Sequence, residues 1–249
     1  MSAALDYGVQ SYCFRHFKDN ADVAKKVREI GLDKIEVCQV HADFNKPDQW
    51  RDIVKIYEDA GVSVISIGVQ RFVGDPAERD FFECAAIAGA THISGAFTVD
   101  TYLQAISKVR ASCREYGMRL GIHNHGGYGF GGQPDVMAHL LGLGGPEIGL
   151  CLDTAWALQI GPRRGDPVEW AKQFAGQIYG VHYKDFVFAE NGQWADTVVG
   201  EGTLNLKAFV DELETGGFDG MAVIEYEADV ENPVPALKAC VEAMRGMVG

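Results

Sequence analysis

Short apolar runs and longer amphipathic stretches alternate along the whole chain. The apolar runs are three to seven residues long and rich in β-branched residues, as expected of buried strands. Each is followed by a polar loop and a helical stretch. The predicted strands are Tyr7–Ser11, Lys34–Cys38, Ser63–Val69, His92–Ser94, Arg119–His123, Ile148–Leu152, Ile178–Tyr183 and Met221–Tyr226. The predicted helices are Ala21–Ile30, Pro47–Ala60, Pro76–Ala88, Val99–Tyr116, Pro134–Leu141, Pro167–Phe174, Leu204–Glu214 and Pro233–Met247.

This alternation predicts an α/β fold with a parallel sheet, because helices must carry the chain back between parallel strands. Several helices open with proline in the first turn, and several end at a glycine such as Gly117. Eight units in 249 residues match the size of a closed (β/α)8 TIM barrel. A doubly wound open sheet is the alternative, but the turn after its first strand is usually rich in glycine, and Ser11–His16 contains none. We therefore predict one TIM-barrel domain over residues 1–249, with its active site at the C-terminal ends of the strands.

Charge and composition narrow the choice of partners. The formal net charge of −13 and the absence of a Lys/Arg-rich run argue against a nucleic-acid binder. No apolar run is long enough to span a bilayer, and Met1–Asp6 shows no secretory signal, so we expect neither membrane association nor export. The six cysteines form no CxxC pair and are expected to be reduced thiols of a cytoplasmic protein.

Ionisable residues collect at the ends of the last four predicted strands. If the first residue of each period-two pair points into the barrel mouth, His123, Asp153, His182 and Glu225 converge from four consecutive strands. Two imidazoles and two carboxylates are a plausible site for one divalent metal ion. A single buried histidine on an apolar strand, such as His92, is in contrast expected to be structural.

The chain also resembles the xylose isomerase-like TIM barrels of the sugar phosphate isomerase/epimerase superfamily. The resemblance covers essentially the whole chain and is carried by Leu120–His125, Ile148–Thr154, Val181–Asp185, Gly200–Gly202 and Val223–Glu227. It implies a divalent metal, often Mn²⁺, held by Glu, Asp, His and Glu from the last four strands, with the two glutamates as an acid/base pair.

Two positions depart from that family pattern. Asp153, His182 and Glu225 match the last three ligands, whereas His123 stands where the first glutamate is usual. Trp156 stands where many relatives carry a histidine that binds the ligand or substrate. Because an imidazole replaces a carboxylate, we expect Mn²⁺, Co²⁺, Ni²⁺ or Zn²⁺ rather than Mg²⁺.

The expected activity is that of a metal-dependent sugar isomerase or epimerase acting on a small keto sugar through an enediolate. Glu225 would also be the general base, a role that a near-neutral pKa would suit, and His125 and Lys184 are further catalytic candidates. The expected substrate-binding residues are Glu36, Arg15, His16, Arg71 and Trp156.

The sequence is also compatible with other functions. His123 favours a lyase that performs β-elimination on a 3-keto-glycoside or a similar oxidised sugar, and the lost glutamate also leaves a non-catalytic sugar-binding barrel possible. An endonuclease of the same fold is disfavoured by the charge. A homo-oligomer, or a partner subunit that completes the pocket, is compatible with the sequence. The segment 188–202 is predicted to be a mobile loop.

Overall fold

In the computed structural model, which describes residues 2–127 and 129–247, eight parallel strands close into a barrel. The barrel strands are β1 (Tyr7–Gln10), β2 (Lys34–Val37), β3 (Ser63–Phe72), β4 (His92–Phe97), β5 (Arg119–His123), β6 (Ile148–Asp153), β7 (Ile178–Tyr183) and β10 (Met221–Ile224). Two further strands, β8 (Asp185–Phe188) and β9 (Trp194–Thr197), form an antiparallel hairpin. The barrel closes where β1 pairs with both β2 and β10.

Helices surround the barrel and connect its strands. In the described part of the chain they are α1 (Asn20–Glu29), α2 (Pro47–Asp59), α3 (Arg79–Ile87), α4 (Tyr102–Tyr116), α5 (Pro134–Gly144), α6 (Thr154–Gln159), α7 (Pro167–Gln173), α8 (Leu206–Thr215) and α9 (Val234–Arg245). Gly117 ends α4 in the left-handed conformation at a φ of 66°, which glycine adopts without strain. This arrangement confirms the predicted (β/α)8 barrel.

The burial of the strands follows from the two layers that enclose them. All six residues of β6 are buried, because one face of the strand points into the barrel and the other meets the helices. The main apolar core lies between strands and helices. A small separate apolar cluster consists of Cys151, Met221 and Val223. These residues alternate in step with Asp153 and Glu225, so they point into the barrel.

Three local features differ from the sequence prediction. β3 and β4 run on to Phe72 and Phe97, beyond the predicted ends. Helix α6 begins directly after β6, because the side chain of Asp153 accepts the backbone N–H of Trp156 and starts the helix without an intervening loop. The hairpin β8–β9 occupies much of the predicted mobile loop 188–202.

Two further observations concern the cysteines and the helices. All six cysteines are buried and unpaired. Among the described residues, no helix combines the length and apolar character that crossing a membrane requires.

Candidate metal centre

Four buried side chains meet at the C-terminal ends of neighbouring strands. His123 and Asp153 are the last residues of β5 and β6, His182 pairs with Asp153 from β7, and Glu225 directly follows β10. One possible ligand atom from each of the four lies within 4.8 Å of the others. In a parallel barrel all these ends lie on one rim, so residues far apart in sequence become neighbours.

Hydrogen bonds to both the backbone and the side chain of Asp153 hold it in place. Its backbone N–H donates to Oδ1 of Asn124 at 2.8 Å, and its carbonyl accepts from Nδ2 of Asn124 at 3.0 Å. Its Oδ1 accepts the N–H of Trp156 at 2.8 Å. The remaining oxygen, Oδ2, therefore faces the cluster, 3.5 Å from Nε2 of His123.

The imidazole of His182 lies between two carboxylates. Its Nδ1 is 3.2 Å from Oε2 of Glu225, and its Nε2 is 3.0 Å from Oε1 of Glu36. His182 and Glu36 are both fully buried. The ring thus has one nitrogen turned towards the cluster and one turned towards Glu36.

The donor set fits a divalent cation. Across the described ranges, both ring nitrogens of His123 and Oδ2 of Asp153 lack any hydrogen-bond partner. Burying such polar atoms unsatisfied is costly, and a cation bound between them would satisfy several at once. Two imidazoles and two carboxylates together with a divalent ion also form a neutral unit, which a buried site favours.

Lys184 brings a positive charge next to the cluster. Its side chain is only 1% exposed, and its ammonium contacts the carboxylate of Glu227 and lies 4.0 Å from Oε2 of Glu225. Burial alone would lower the pKa of Lys184, but the surrounding carboxylates, Glu225 foremost, outweigh burial and raise it above the ordinary value. Lys184 therefore stays an ammonium group at neutral pH.

The two glutamates after β10 differ in acidity. Burial opposes the ionisation of Glu225, yet Lys184 and His182 outweigh it and hold the pKa of Glu225 well below its usual range. This direction is opposite to the near-neutral pKa that would suit Glu225 as a general base. Burial raises the pKa of Glu227 above its ordinary value even though Lys184 opposes the shift. Glu227 holds a proton more readily than Glu225.

A cavity of about 400 Å³ opens onto the cluster. Its lining residues are Gln10, Tyr12, Cys38, Gln39, Val40, Gly68, Val69, His123, His125, Trp156, Glu225 and Glu227. The ring of His125 lies 4.6 Å from that of Trp156, with an angle of 30° between the planes. Burial, followed by the nearby His123, lowers the pKa of His125, so its imidazole is neutral at pH 7. A neutral imidazole in a cavity can accept a proton.

The hairpin β8–β9 adds an aromatic wall to this side of the mouth. The ring of Trp156 is 5.3 Å from Phe186 and 5.8 Å from Trp194, both on the hairpin. The ammonium of Lys184 lies 5.3 Å from the centre of the Trp156 ring. The wall shields Lys184 from solvent and keeps it beside the carboxylates.

The other predicted substrate-binding residues are more dispersed. Arg15 lies at the rim, where its guanidinium donates to the carbonyl of Glu227. His16 is exposed and lies 3.0 Å from Glu231. Arg71 is exposed because it follows the buried Gln70 on β3 and points to the opposite face of the strand. Neither His16 nor Arg71 is among the described residues that line the cavity.

The sequence prediction did not include several residues of the mouth. Glu227 shares the strand parity of Glu225, and that spacing is a signal from which it could have been found. Asp196, with Oδ1 3.9 Å from the ammonium of Lys184, and Trp194 reach the site only through the hairpin, which has no clear sequence signal. Tyr12 lies in the short turn after β1, where the stacked guanidinium of Arg15 is 4.7 Å from its ring.

Comparisons with known proteins agree with the fold. A model of the xylose isomerase-like TIM barrel family matches residues 24–247. An inosose dehydratase from Lacticaseibacillus casei is 25% identical over 145 residues, which are 51% of this chain and 47% of that protein. The chain thus spans about half the length of the curated relatives it matches.

Solved structures share the fold over nearly the whole chain. A xylose isomerase-like TIM barrel protein from Mycobacterium smegmatis in complex with magnesium has a TM-score of 0.81 at 14% identity, covering 100% of this chain and 98% of that one. The apo form of 3-keto-D-glucoside 4-epimerase from E. coli has a TM-score of 0.74 at 14% identity, covering 97% and 99%. At these identities the likeness concerns the fold.

Proposed function

The chain belongs to the xylose isomerase-like TIM barrel family, and from this premise we propose that it is a divalent-metal-dependent enzyme acting on a small keto sugar or keto polyol. Its relatives and fold neighbours include a dehydratase and an epimerase. One observation carries the proposal: a buried cluster with unsatisfied ligand atoms opens onto a cavity that also holds two proton-transfer groups.

In this proposal His123, Asp153, His182 and Glu225 hold the ion. When bound, a divalent ion acts as a Lewis acid that polarises a carbonyl group. The paired imidazoles favour Mn²⁺, Co²⁺, Ni²⁺ or Zn²⁺ over Mg²⁺. The low pKa of Glu225 suits a ligand, because the carboxylate must be ionised to bind a cation.

Two residues that line the cavity, His125 and Glu227, and the buried Lys184 beside them would handle protons and charge. His125 is neutral and accepts the proton from the carbon next to the ketone of the substrate. The ammonium of Lys184 stabilises the negative charge that develops on the enolate oxygen. Glu227, whose pKa burial raises, is the cavity carboxyl group that would return a proton to the departing oxygen. In this scheme the base is His125, and Glu225 is kept for the ion.

We propose β-elimination as the overall reaction. One base and one acid on the same cavity are the groups that elimination of a hydroxyl or glycosidic oxygen requires. His123 replaces the glutamate that would form the carboxylate pair of an epimerase. The matched inosose dehydratase is named for the loss of water, which supports the same choice.

Incubation of the metal-loaded protein with cyclic keto polyols and 3-keto-glycosides in D₂O tests the proposal. We expect deuterium exchange next to the ketone, followed by release of water or aglycone, as measured by NMR and mass spectrometry. His125→Gln should lose both, whereas His139→Gln, at an exposed position on α5, should keep them. Deuterium exchange accompanied by formation of an epimer or isomer would show that the reaction is an isomerisation and not an elimination. If no keto compound exchanges deuterium, the proposed enzyme activity is wrong, and a non-catalytic sugar-binding barrel is the remaining interpretation.

A further inference from the structure

We propose that Glu36 is a positioning residue for the metal centre, which orients His182 and fixes its tautomer. The inference rests on the proposed function, because it assigns Glu36 a role towards the ion held by His182. It also replaces the substrate-binding role expected from the sequence.

The position of Glu36 argues against contact with a substrate. Its side chain is fully buried, and it is absent from the described residues that line the cavity. Two neutral donors hold its Oε1: the amide of Gln10 and the hydroxyl of Ser94, the latter at 3.0 Å. Gln10 also donates to the carbonyl of Gly68 at 3.3 Å. The carboxylate is therefore fixed by side chains from β1 and β4.

From this anchored position Glu36 reaches His182 across the barrel. Glu36 is on β2, whose neighbours are β1 and β3, whereas His182 is on β7, between β6 and β10. Their side chains meet in the interior, with Nε2 of His182 3.0 Å from Oε1 of Glu36. A contact between non-adjacent strands depends on closure of the barrel, and it locks the histidine to the opposite wall.

The unsatisfied atoms define what this contact does. Among the described residues, Oε2 of Glu36 and Nε2 of His182 are both buried without a well-directed hydrogen bond. A proton on Nε2 would lie against Oε1 of Glu36, 3.0 Å away, and would give the buried ring nitrogen a charged partner. With the proton on Nε2, the lone pair of Nδ1 faces the cluster, 3.2 Å from Oε2 of Glu225. A carboxylate behind a ligating histidine fixes the ring and increases its basicity.

The inference predicts a specific loss. Glu36→Gln keeps the size of the side chain and removes its charge, so metal affinity should fall by roughly 10- to 100-fold. Glu36→Asp keeps the charge and should recover part of that loss. Glu78→Gln is the matched control, because Glu78 is another buried carboxylate but accepts the backbone N–H groups of Val73 and Gly74. It should lose stability and keep its metal affinity.

Titration of the apo proteins with Mn²⁺ by calorimetry, and with Co²⁺ by visible absorption, tests the inference. Wild type and Glu78→Gln should bind with Kd values within about twofold, and only Glu36→Gln should shift the Co²⁺ band, since the band reports the ligand geometry. If Glu36→Gln does not fold, Ser94→Ala, which removes one donor to Glu36, should weaken binding in the same direction.

The outcomes separate the two proposals. Equal affinity and an unchanged Co²⁺ spectrum in the folded variant would overturn the role of Glu36 while leaving the metal-dependent enzyme intact. A wild-type protein that binds neither ion would overturn both. Weak binding confined to the Glu36 variants supports both.

Discussion

The carboxylate of Asp185 offers a direct test of what holds the hairpin over the site. Asp185 is fully buried at the start of β8 and accepts five backbone N–H groups. Its Oδ1 accepts from Phe186, Thr203 and Leu204 at 2.9 Å each. Its Oδ2 accepts from Gly200 at 3.1 Å and Gly202 at 3.0 Å. One side chain thereby fastens both ends of the segment that contains the hairpin.

The magnitude for Asp185→Asn follows from these five bonds. Asparagine replaces one oxygen with an NH₂ group, so at least two N–H groups meet a donor in place of an acceptor. Each hydrogen bond to a charged group contributes about 1.5–3 kcal/mol, and two losses give about 3–6 kcal/mol. The loop around Gly200 is partly exposed, and water recovers some of this, so we expect a loss near 3 kcal/mol. For a chain of this size that lowers Tm by about 6–12 °C.

Thermal unfolding followed by circular dichroism measures this change. Glu201→Gln is the matched control, because Glu201 is an exposed carboxylate in the same loop, and its Tm should stay within about 1 °C of wild type. Trp194, on β9, gives a local readout, since a loosened hairpin exposes its indole and shifts its emission to the red. A Tm for Asp185→Asn equal to that of wild type, with unchanged emission, would refute the reasoning.

Three further predictions concern the site and the barrel. His123→Ala should weaken Mn²⁺ binding at least tenfold by calorimetry, because one of four ligands is lost; unaltered affinity would remove His123 from the ligand set. Lys184→Met should lower kcat about 10²- to 10³-fold in steady-state assays, since it removes the charge beside the enolate; a change in KM alone would contradict this role. Burial lowers the pKa of His92 to about 4, whereas the pKa in the unfolded chain is 6.5. The folded protein therefore prefers the neutral imidazole. This preference stabilises the folded state fully above pH 6.5, and the stabilisation is lost as the pH falls through 4. A shift of this size corresponds to roughly 3 kcal/mol of unfolding free energy. In urea unfolding, the free energy of unfolding should therefore fall less between pH 7 and 4 for His92→Gln than for wild type. The same pH dependence in both proteins would exclude His92 as the cause of the loss.

Local sequence patterns were enough to predict the barrel and the convergence of the four candidate ligands. Strand ends in a parallel barrel share one rim, so the positions of His123, Asp153, His182 and Glu225 along their strands already place them together. The contact of Glu36 with His182 could not be read in this way, because it joins non-adjacent strands through the interior and depends on closure of the barrel.

Other differences have equally local causes. Arg71 was expected at the site, but one step along a strand reverses the direction of a side chain, and Gln70 is the buried residue of that pair. The hairpin escaped prediction because each of its strands is only four residues long and shows no alternation of apolar and polar residues. Its position depends on Asp185, a single carboxylate. The backbone N–H groups that donate to this carboxylate lie up to 19 residues away in sequence.

The spacing of two residue pairs bears on how the site would carry out the proposed acid/base chemistry without the expected glutamate pair. His123 and His125 are two residues apart, as are Glu225 and Glu227, and all four line the same cavity. In each pair the first residue belongs to the ligand cluster, and the second lines the cavity without belonging to it. The first pair provides a ligand and a neutral base, and the second provides a ligand and a carboxyl group with a raised pKa. In an epimerase with two metal-bound glutamates, the same two side chains both bind the ion and transfer protons. In the proposed scheme the two tasks fall to different residues, and for that reason the loss of a glutamate at position 123 would not by itself remove catalysis.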